Sequence, residues 1–377
     1  MSKINVLDHA TVYRNPVSNL VSEYVAFPCI FALPDGSALC MCRHGTARES
    51  EDAVVKIHRS SDGGSTWEPA PDLPSPPAPP NGTWTLLPAG FGMTNTGDVL
   101  AQIWARFVRA DSGQRTDSDQ ENAPSPHFIY RSTDGGKSWS DPIALEYPAI
   151  GSIGPGGNMT TLRDGTIIFA GEHGKQPGDD HDWISMTGRS HDGGRTWSDP
   201  VIAHISTDTY FFDLRITGSS EGKLLGFYWS HDRTSDQGLN VHTTWSHDAG
   251  MTWTEPHDTG FWGQVTVGQF LTNDRVIALT NHRRDPYGIR AVLSEDGGRS
   301  FDESEHVELW GIIPAKTRSA PILAPIRDVV EDPLKAYHHF TFGTPTVTVL
   351  PDGIILAAFY VTEQSVTYVR CCRMTVT

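Results

Sequence analysis

Short apolar runs alternate with polar, glycine-containing turns along the whole chain. The runs Cys29 to Leu33 and Ala38 to Cys42, for example, lie on either side of one such turn. Apolar runs of about four to eight residues between Gly, Pro, Asn and Asp are typical of β-strands joined by tight turns. The pattern therefore predicts six similar units, each beginning with two antiparallel strands that we name strand A and strand B. The six A-to-B turns are Leu33-Pro-Asp-Gly36, Asn95-Thr-Gly97, Arg163-Asp-Gly165, Ser220-Glu-Gly222, Asn273-Asp274 and Leu350-Pro-Asp-Gly353.

A second motif, which we name the Ser-x-Asp turn, follows the A-to-B turn in the first five units. In each copy the Asp can accept hydrogen bonds from its own turn, the glycines accept positive φ angles, and the aromatic residue can fill the gap between two strands. The copies are 72, 58, 56 and 48 residues apart, a spacing typical of β-propeller blades. A blade is thus predicted as strands A, B and C, the Ser-x-Asp turn, and strand D. The five copies are Ser60-Ser-Asp62-Gly-Gly-Ser-Thr66-Trp67, Ser132-Thr-Asp134-Gly-Gly-Lys-Ser138-Trp139, Ser190-His-Asp192-Gly-Gly-Arg-Thr196-Trp197, Ser246-His-Asp248-Ala-Gly-Met-Thr252-Trp253 and Ser294-Glu-Asp296-Gly-Gly-Arg-Ser300-Phe301.

The two ends of the chain are predicted to share one blade. The sixth unit, Phe340 to Met374, has strands A, B and C but no Ser-x-Asp turn, whereas Ile4 to Tyr13 resembles a strand without a blade. Pairing the two would close the ring and leave no open sheet edge. The predicted fold is an all-β, six-bladed β-propeller forming a single domain over residues 1–377. Its blades cover roughly 24–70, 85–142, 152–200, 208–256, 261–304, and 338–377 plus 4–13. A seventh blade within the long loops Val108 to Pro126 or Trp310 to His339 stays open as an alternative.

Composition limits the partners and the compartment. No apolar run approaches the roughly 20 residues of a membrane span, and Met1 to Leu20 is too polar for a signal peptide. The five cysteines form no evident disulfide framework, so a reducing, cytoplasmic location is expected. A net charge of −16 argues against nucleic acid and anionic membranes as partners. The 22 Arg against 7 Lys nevertheless favour a site for a carboxylate, sulfate or phosphate. The sequence does not indicate the oligomeric state.

Candidate chemistry lies where strand B ends, on the face opposite the Ser-x-Asp turns. Eight residues after the A-to-B turn come His44, His173 and His282, and nine residues after it comes His231. Equivalent positions in a propeller converge on its axis, so these histidines are predicted to surround one mouth. They could instead be structural residues that bond a neighbouring blade. Candidate partners at the same mouth are Arg43, Arg48, Trp104, Arg106, Glu172, Asp232, Arg233, Arg283 and Arg284.

A divalent metal is a further option, although no cofactor is certain from the sequence. His173, His231 and His282 could hold the ion together with a carboxylate such as Asp232. No short His-x-His spacing supports such a site.

The Ser-x-Asp turn resembles the Asp-box, or BNR repeat, of the sialidase superfamily. The resemblance implies a propeller fold and places Arg43 at the second arginine of the sialidase site and Asp52 at its acid/base. Two matches fail. Ala26-Phe27-Pro28 stands where sialidases carry Arg-Ile-Pro, and Thr344 stands at the nucleophilic tyrosine. We therefore predict a carbohydrate-active enzyme that is not an efficient sialidase.

Three functions remain open. In an exo-acting glycoside hydrolase on an acidic oligosaccharide or glycoside, Asp52 or Glu172 would protonate the leaving oxygen, and another carboxylate or one of His44, His173 and His231 would activate water. In a lyase on uronic-acid sugars, Arg would neutralise the carboxylate and His would remove the neighbouring proton, with or without a metal. The third option is a sugar-binding propeller without catalysis.

Overall fold

A computed structural model describes residues 2–109, 125–145, 154–174, 183–198, 200–219, 221–311 and 341–377. The strands in these ranges form six antiparallel sheets, each the blade of a propeller, which confirms the predicted fold class. In the described residues, no helix has the length and apolar character needed to cross a membrane. Most of the two loops considered for a seventh blade lies outside the described residues.

The innermost strands of the six blades contact one another in a closed circle around the axis. Each blade begins at this circle and proceeds outward, with side chains alternating between its two faces. The strands of blades 1 and 2 are β2 (Tyr24–Ala32), β3 (Ala38–Gly45), β4 (Val54–Ser60), β5 (Glu68–Pro69), β6 (Gly82–Met93), β7 (Val99–Arg109), β8 (His127–Ser132) and β9 (Ile143–Leu145). Those of blade 3 are β10 (Gly154–Pro155), β11 (Thr160–Thr161), β12 (Ile167–Gly174), β13 (Trp183–Ser190) and β14 (Val201–Ile205).

Blades 4 and 5 repeat the arrangement, with an additional short strand in blade 4. They comprise β15 (Thr209–Gly218), β16 (Leu224–Asp232), β17 (Gln237–Gly238), β18 (Asn240–Ser246), β19 (His257–Trp262), β20 (Thr266–Phe270), β21 (Val276–His282), β22 (Gly288–Ser294) and β23 (Val307–Gly311). Short 3₁₀ helices cover Thr272–Asp274 and Glu303–Glu305. Blade 6 consists of β24 (Phe342–Val349), β25 (Ile355–Glu363), β26 (Val366–Val376) and, from the start of the chain, β1 (Ile4–Tyr13).

Closure by the N-terminal strand is confirmed. Strand β1 pairs antiparallel with β26, from Ile4 opposite Val376 to Tyr13 opposite Val369. The buried Val12 joins the hydrophobic cluster between blades 6 and 1. Just before β1, the backbone N–H of Ser2 donates to Glu295 Oε1 (3.2 Å), which ties the start of the chain to blade 5. The first residues therefore hold both flanks of the last blade.

Each Ser-x-Asp turn is fixed by the Asp carboxylate. In blade 2, Asp134 Oδ1 accepts from the N–H groups of Lys137 and Ser138, both at 2.9 Å, and Oδ2 accepts from the Ser138 hydroxyl at 2.6 Å. The Ser132 hydroxyl accepts from the N–H of Gly136 at 2.7 Å. Because these hydrogen bonds stabilise the ionised carboxylate, they lower the pKa of Asp134. These aspartates are structural residues.

The Ser-x-Asp turns also join neighbouring blades. A side chain near the end of strand C donates to a backbone carbonyl in the next blade's turn, and a glycine of that turn packs on the preceding blade. Gly136, for instance, has φ +84°, and a Cβ there would lie 2.7 Å from Leu39 of blade 1. The five donor–acceptor pairs are Arg59 to Gly135, Arg131 to Gly193, Arg189 to Ala249, Trp245 to Gly297 and, closing the ring, Arg373 to Gly63.

Removing residues 1–14 should destabilise the entire ring, because the edge of β26 and the core beneath Val12 would be exposed. Thermal unfolding followed by circular dichroism would measure the change. Leu7→Ser serves as the control, since Leu7 is exposed on the same strand and its substitution leaves the pairing intact. A truncated protein that melts like the intact one would contradict this account of closure.

Candidate functional site

A cavity of about 450 Å³ lies where the innermost strands of all six blades meet. Every blade contributes a residue from its innermost strand or from the position just before it. These residues are Phe27, Leu87, Gly154, Asp213, Val265 and Thr344. The cavity is therefore a property of the whole ring, and no single blade contains it.

Three of these residues project from β-bulges. The pairing register shifts between Ala26 and Cys29 in blade 1, between Phe212 and Arg215 in blade 4, and between Gly343 and Thr346 in blade 6. Inside these shifts Phe27, Asp213 and Thr344 have φ angles of 53°, 54° and 46°. Left-handed backbone at non-glycine residues costs about 1–3 kcal/mol each and concentrates at functional sites. A bulge also redirects the side chain that it carries.

The second layer of the wall comes from strand B. Seven residues after the A-to-B turn come Trp104, Glu172, Trp229 and Tyr360, and all four line the cavity. The histidines proposed from the sequence come one or two residues later. Because successive side chains of a strand point to opposite faces, a shift of one residue moves a side chain from one face of the sheet to the other.

Two carboxyl groups meet in this wall. Glu172 Oε2 accepts hydrogen bonds from the backbone N–H of Asp213 at 2.7 Å and from Trp183 Nε1 at 3.2 Å. Burial, assisted by the negative charge of Asp213, raises the pKa of the Glu172 carboxyl to about 8. Glu172 is therefore protonated at neutral pH and can act as a general acid.

Three arginines lie in the same wall. Arg215 Nη2 is 3.5 Å from Asp213 Oδ1. Arg283 donates to Gln264 Oε1 at 2.8 Å and to the Phe342 carbonyl at 2.6 Å, and burial lowers its pKa to about 10. The third, Arg48, packs over the ring of Phe27, with its guanidinium carbon 5.6 Å from the ring centroid. Guanidinium groups are the side chains that grip carboxylate, sulfate or phosphate through paired hydrogen bonds.

The loop that presents Arg48 is held by other charged residues. Arg43 is completely buried and donates to the carbonyls of Ala47, Arg48 and Ser50. Glu49 is 3.5 Å from Arg48 Nε and accepts from Arg106 Nη2 at 2.8 Å. Arg43 thus shapes the loop from behind, where a substrate would not reach it.

The four histidines proposed as site residues, all within the described part of the chain, lie outside the cavity lining. His44 Nδ1 is 2.8 Å from Glu23, and His231 Nε2 is 2.9 Å from Asp236. His282 Nδ1 lies 3.1 Å and 3.0 Å from the carbonyls of Arg284 and Pro286. His173 is buried on the opposite face of β12 from Glu172. These histidines, which were predicted to surround the mouth, are therefore not among the residues that line the cavity. His44, His173 and His282 come one residue after the strand-B position that lines the cavity in four blades, and successive side chains of a strand point to opposite faces of the sheet.

Other proposed residues are also placed outside the lining. Asp52 is exposed and accepts from the N–H and the hydroxyl of Thr46. Asp232 Oδ1 accepts from the N–H groups of Thr234 and Ser235. Arg43 lies on β3 and Arg106 on β7, whereas Arg233 and Arg284 lie in the loops after β16 and β21, and these four arginines are not among the lining residues. Within the described ranges, no three His, Cys, Asp or Glu side chains are grouped to hold a metal ion, so the histidines suggested for that role do not converge. Of the proposed residues, Arg48, Trp104, Glu172 and Arg283 line the cavity.

Several lining residues were not proposed from the sequence. Asp213 and Arg215 lie on strand A of blade 4, and Tyr360 lies on strand B of blade 6. The repeat spacing could have identified Tyr360, since it aligns with Trp104 and Glu172. Asp213 was hidden by its bulge, which breaks the alternation of the strand. Trp183, Phe212 and Trp229 complete the aromatic part of the wall.

Comparisons with known proteins agree with this architecture. The family model described as a BNR repeat-like domain matches residues 101–311, more than half of the chain. Among solved structures, a protein of unknown function from Dyadobacter fermentans is 19% identical, with 99% of each chain covered and a TM-score of 0.72. A Hadza microbial sialidase is 18% identical, with 98% of this chain and 68% of that chain covered and a TM-score of 0.63.

A third structure, an α-L-arabinanase from Penicillium chrysogenum in complex with arabinobiose, is 13% identical, with 98% of each chain covered and a TM-score of 0.63. At these identities the likeness concerns the fold. None of the curated proteins matches this chain in sequence.

The histidines near blade 1 predict a loss of stability in acid. His44 and His58 stack with ring centroids 5.5 Å apart, and burial lowers the pKa of His44 and brings that of His58 to about 4. A histidine in the unfolded chain titrates near pH 6.5. The stability that the buried, neutral histidines give to the folded protein is therefore complete above that pH and is lost as the pH falls from about 6.5 to about 4.

Urea unfolding over this pH range should show the free energy of unfolding decreasing as the pH falls. In His58→Leu that decrease should be smaller by about 2 kcal/mol. The control is His257→Ala, because His257 is exposed. An unchanged pH dependence in His58→Leu would contradict the assignment of His58 as a buried neutral residue.

Proposed function

Because the chain belongs to the family of BNR repeat-like domains, with a sialidase-like six-bladed propeller, we propose that it is a glycoside hydrolase that binds an acidic sugar in the axial cavity. The observation that carries the proposal is the pairing of Glu172 with Asp213. One carboxyl is protonated at neutral pH, and the second lies beside it in a cavity of about 450 Å³. A buried carboxyl group that keeps its proton at neutral pH, beside a second carboxyl group, is an arrangement that supports cleavage of a glycosidic bond.

Glu172 is the general acid in this proposal. It donates its proton to the oxygen of the leaving group as the bond to the sugar carbon breaks, which prevents an alkoxide from forming. The hydrogen bonds from Trp183 and from the Asp213 backbone hold Oε2, so the carboxyl has a fixed orientation. Asp213 is the second carboxylate, next to the positive charge that develops on the sugar.

The acidic group of the sugar is assigned to the three arginines. Arg48, Arg215 and Arg283 come from blades 1, 4 and 5 and line one cavity in a protein whose net charge is −16. A carboxylate that binds to them gains charge-assisted hydrogen bonds in partly dehydrated surroundings. The aromatic side chains Trp104, Trp229 and Phe27 provide apolar surface for the sugar ring.

The comparisons support cleavage of glycosidic bonds without indicating the sugar. One similar structure is a sialidase and another is an arabinanase, and both share the propeller with this chain. The lyase predicted from the sequence uses histidine as its base, and His44 and His231 bond carboxylates outside the cavity lining. The ultraviolet absorbance of the product distinguishes the reactions. Elimination leaves a conjugated unsaturated uronate, and an increase in absorbance during turnover would refute hydrolysis.

Glu172→Gln should lower kcat by about 10²-fold or more while the protein stays folded, because the amide cannot donate the required proton. In the wild type, activity should fall as the pH rises through about 8, where the general acid loses its proton. Steady-state kinetics on the substrate found by screening acidic glycosides would test both.

Glu23→Gln is the matched control, since this carboxylate bonds His44 and Tyr13 outside the cavity. Equal activity of Glu172→Gln and the wild type would refute the role of Glu172. If the wild type binds acidic sugars but cleaves none of the glycosides, the protein is a sugar-binding propeller.

Sialosides should be poor substrates. Phe27 occupies the bulge in blade 1 next to Ala26, where sialidases carry an arginine, and Thr344 occupies the equivalent bulge in blade 6. A fluorogenic sialoside assayed at several pH values should show no turnover at ordinary enzymatic rates. Efficient release of the fluorophore would mean that Arg48 and Tyr360 supply the missing functions.

A further inference from the structure

A packed row of side chains leads from the cavity to its rim on blades 3 and 4. Phe212, part of the cavity lining, stacks on Tyr210 with ring centroids 5.0 Å apart and 21° between the planes. The guanidinium carbon of Arg233 lies 4.8 Å from the centroid of the same Tyr210 ring. Trp183 meets both rings edge-on, with centroids 4.8 Å from Phe212 and 6.4 Å from Tyr210.

Trp183 connects this row with the proton donor. Its Nε1 donates to Glu172 Oε2 at 3.2 Å, and its indole lines the cavity. The oxygen that receives the Glu172 proton belongs to the leaving group, so the leaving group lies beside Trp183. A sugar in that place extends along the row toward Tyr210 and Arg233.

Arg233 is held in position by the loop around it. Its Nη1 donates to the Thr207 carbonyl, and its backbone N–H donates to the Asp208 carbonyl at 3.0 Å. A guanidinium that is stacked on an aromatic ring is oriented before a ligand arrives, and it prefers carboxylate or sulfate.

We propose that Trp183, Tyr210 and Arg233 form a leaving-group subsite that recognises a second acidic sugar, so that the substrate is an oligosaccharide with acidic groups on both sides of the cleaved bond. This inference rests on the proposed function, because Glu172 defines where the leaving group lies. Arg48, Arg215 and Arg283 bind the first acidic group, and Arg233 binds the second. Such a subsite makes the chain select for substrate length as well as charge.

Binding measurements on the Glu172→Gln variant, which should not cleave the sugar, can test the two sites separately. An array of uronic-acid oligosaccharides of one to four units would identify a bound series, and calorimetry would then give Kd for its monosaccharide and disaccharide. We expect the disaccharide to bind about tenfold more tightly than the monosaccharide. Adding Arg233→Ala or Arg233→Gln should remove most of that difference and leave the monosaccharide affinity unchanged.

Arg299→Ala is the matched control, because Arg299 also packs over an aromatic ring, that of Trp245, but belongs to a Ser-x-Asp turn on the far face. Equal affinity for one and two units, or a neutral second unit that binds as tightly as an acidic one, would overturn the subsite and leave the cavity proposal standing. A loss of monosaccharide affinity equal to the loss of disaccharide affinity in the Arg233 variants would also overturn it. Absence of binding to every acidic sugar would overturn both proposals.

Discussion

The contact on which the structure depends is the one between successive blades, where a side chain from strand C donates to a carbonyl in the next Ser-x-Asp turn. Five side chains make this contact, namely Arg59, Arg131, Arg189, Trp245 and Arg373. The joint between blades 5 and 6 has no such turn, and the start of the chain takes its place through Ser2 and Glu295. Closure of the ring depends on all of these contacts between blades. The cavity needs all of them, since Glu172 lies on blade 3, Asp213 on blade 4 and Arg283 on blade 5.

Burial sets the protonation states inside this ring. Burial shifts Glu172 toward its neutral form, whereas Arg283 keeps its charge at neutral pH even though burial lowers its pKa to about 10. In the proposed function, the cavity wall therefore attracts an anion and donates a proton at the same pH. An exposed pair of carboxylates would be ionised at neutral pH and could not do both. The surrounding protein carries a net charge of −16, so the attraction is local to the cavity.

The fold could be predicted from the sequence because its signals are local and repeated. The Ser-x-Asp turns and the A-to-B turns each place a glycine or an aspartate where backbone geometry demands one, and they recur in the predicted order. The site was harder to predict, because the repeated histidines suggested that the eighth residue after the turn faces the cavity. The cavity instead takes the seventh residue, as Trp104, Glu172 and Tyr360 show. Asp213 could not be found in this way, since its bulge shifts the alternation of the strand and is fixed by contacts between blades.

The three bulges of the innermost strands carry different side chains on similar backbone. Phe27, Asp213 and Thr344 share almost the same left-handed backbone, yet one is aromatic, one is acidic and one is a small alcohol. The geometry of the position is thus independent of the chemistry placed there. A single exchange at one of these points in this chain would change the chemistry of the cavity wall, while the blades and their joints stay unchanged.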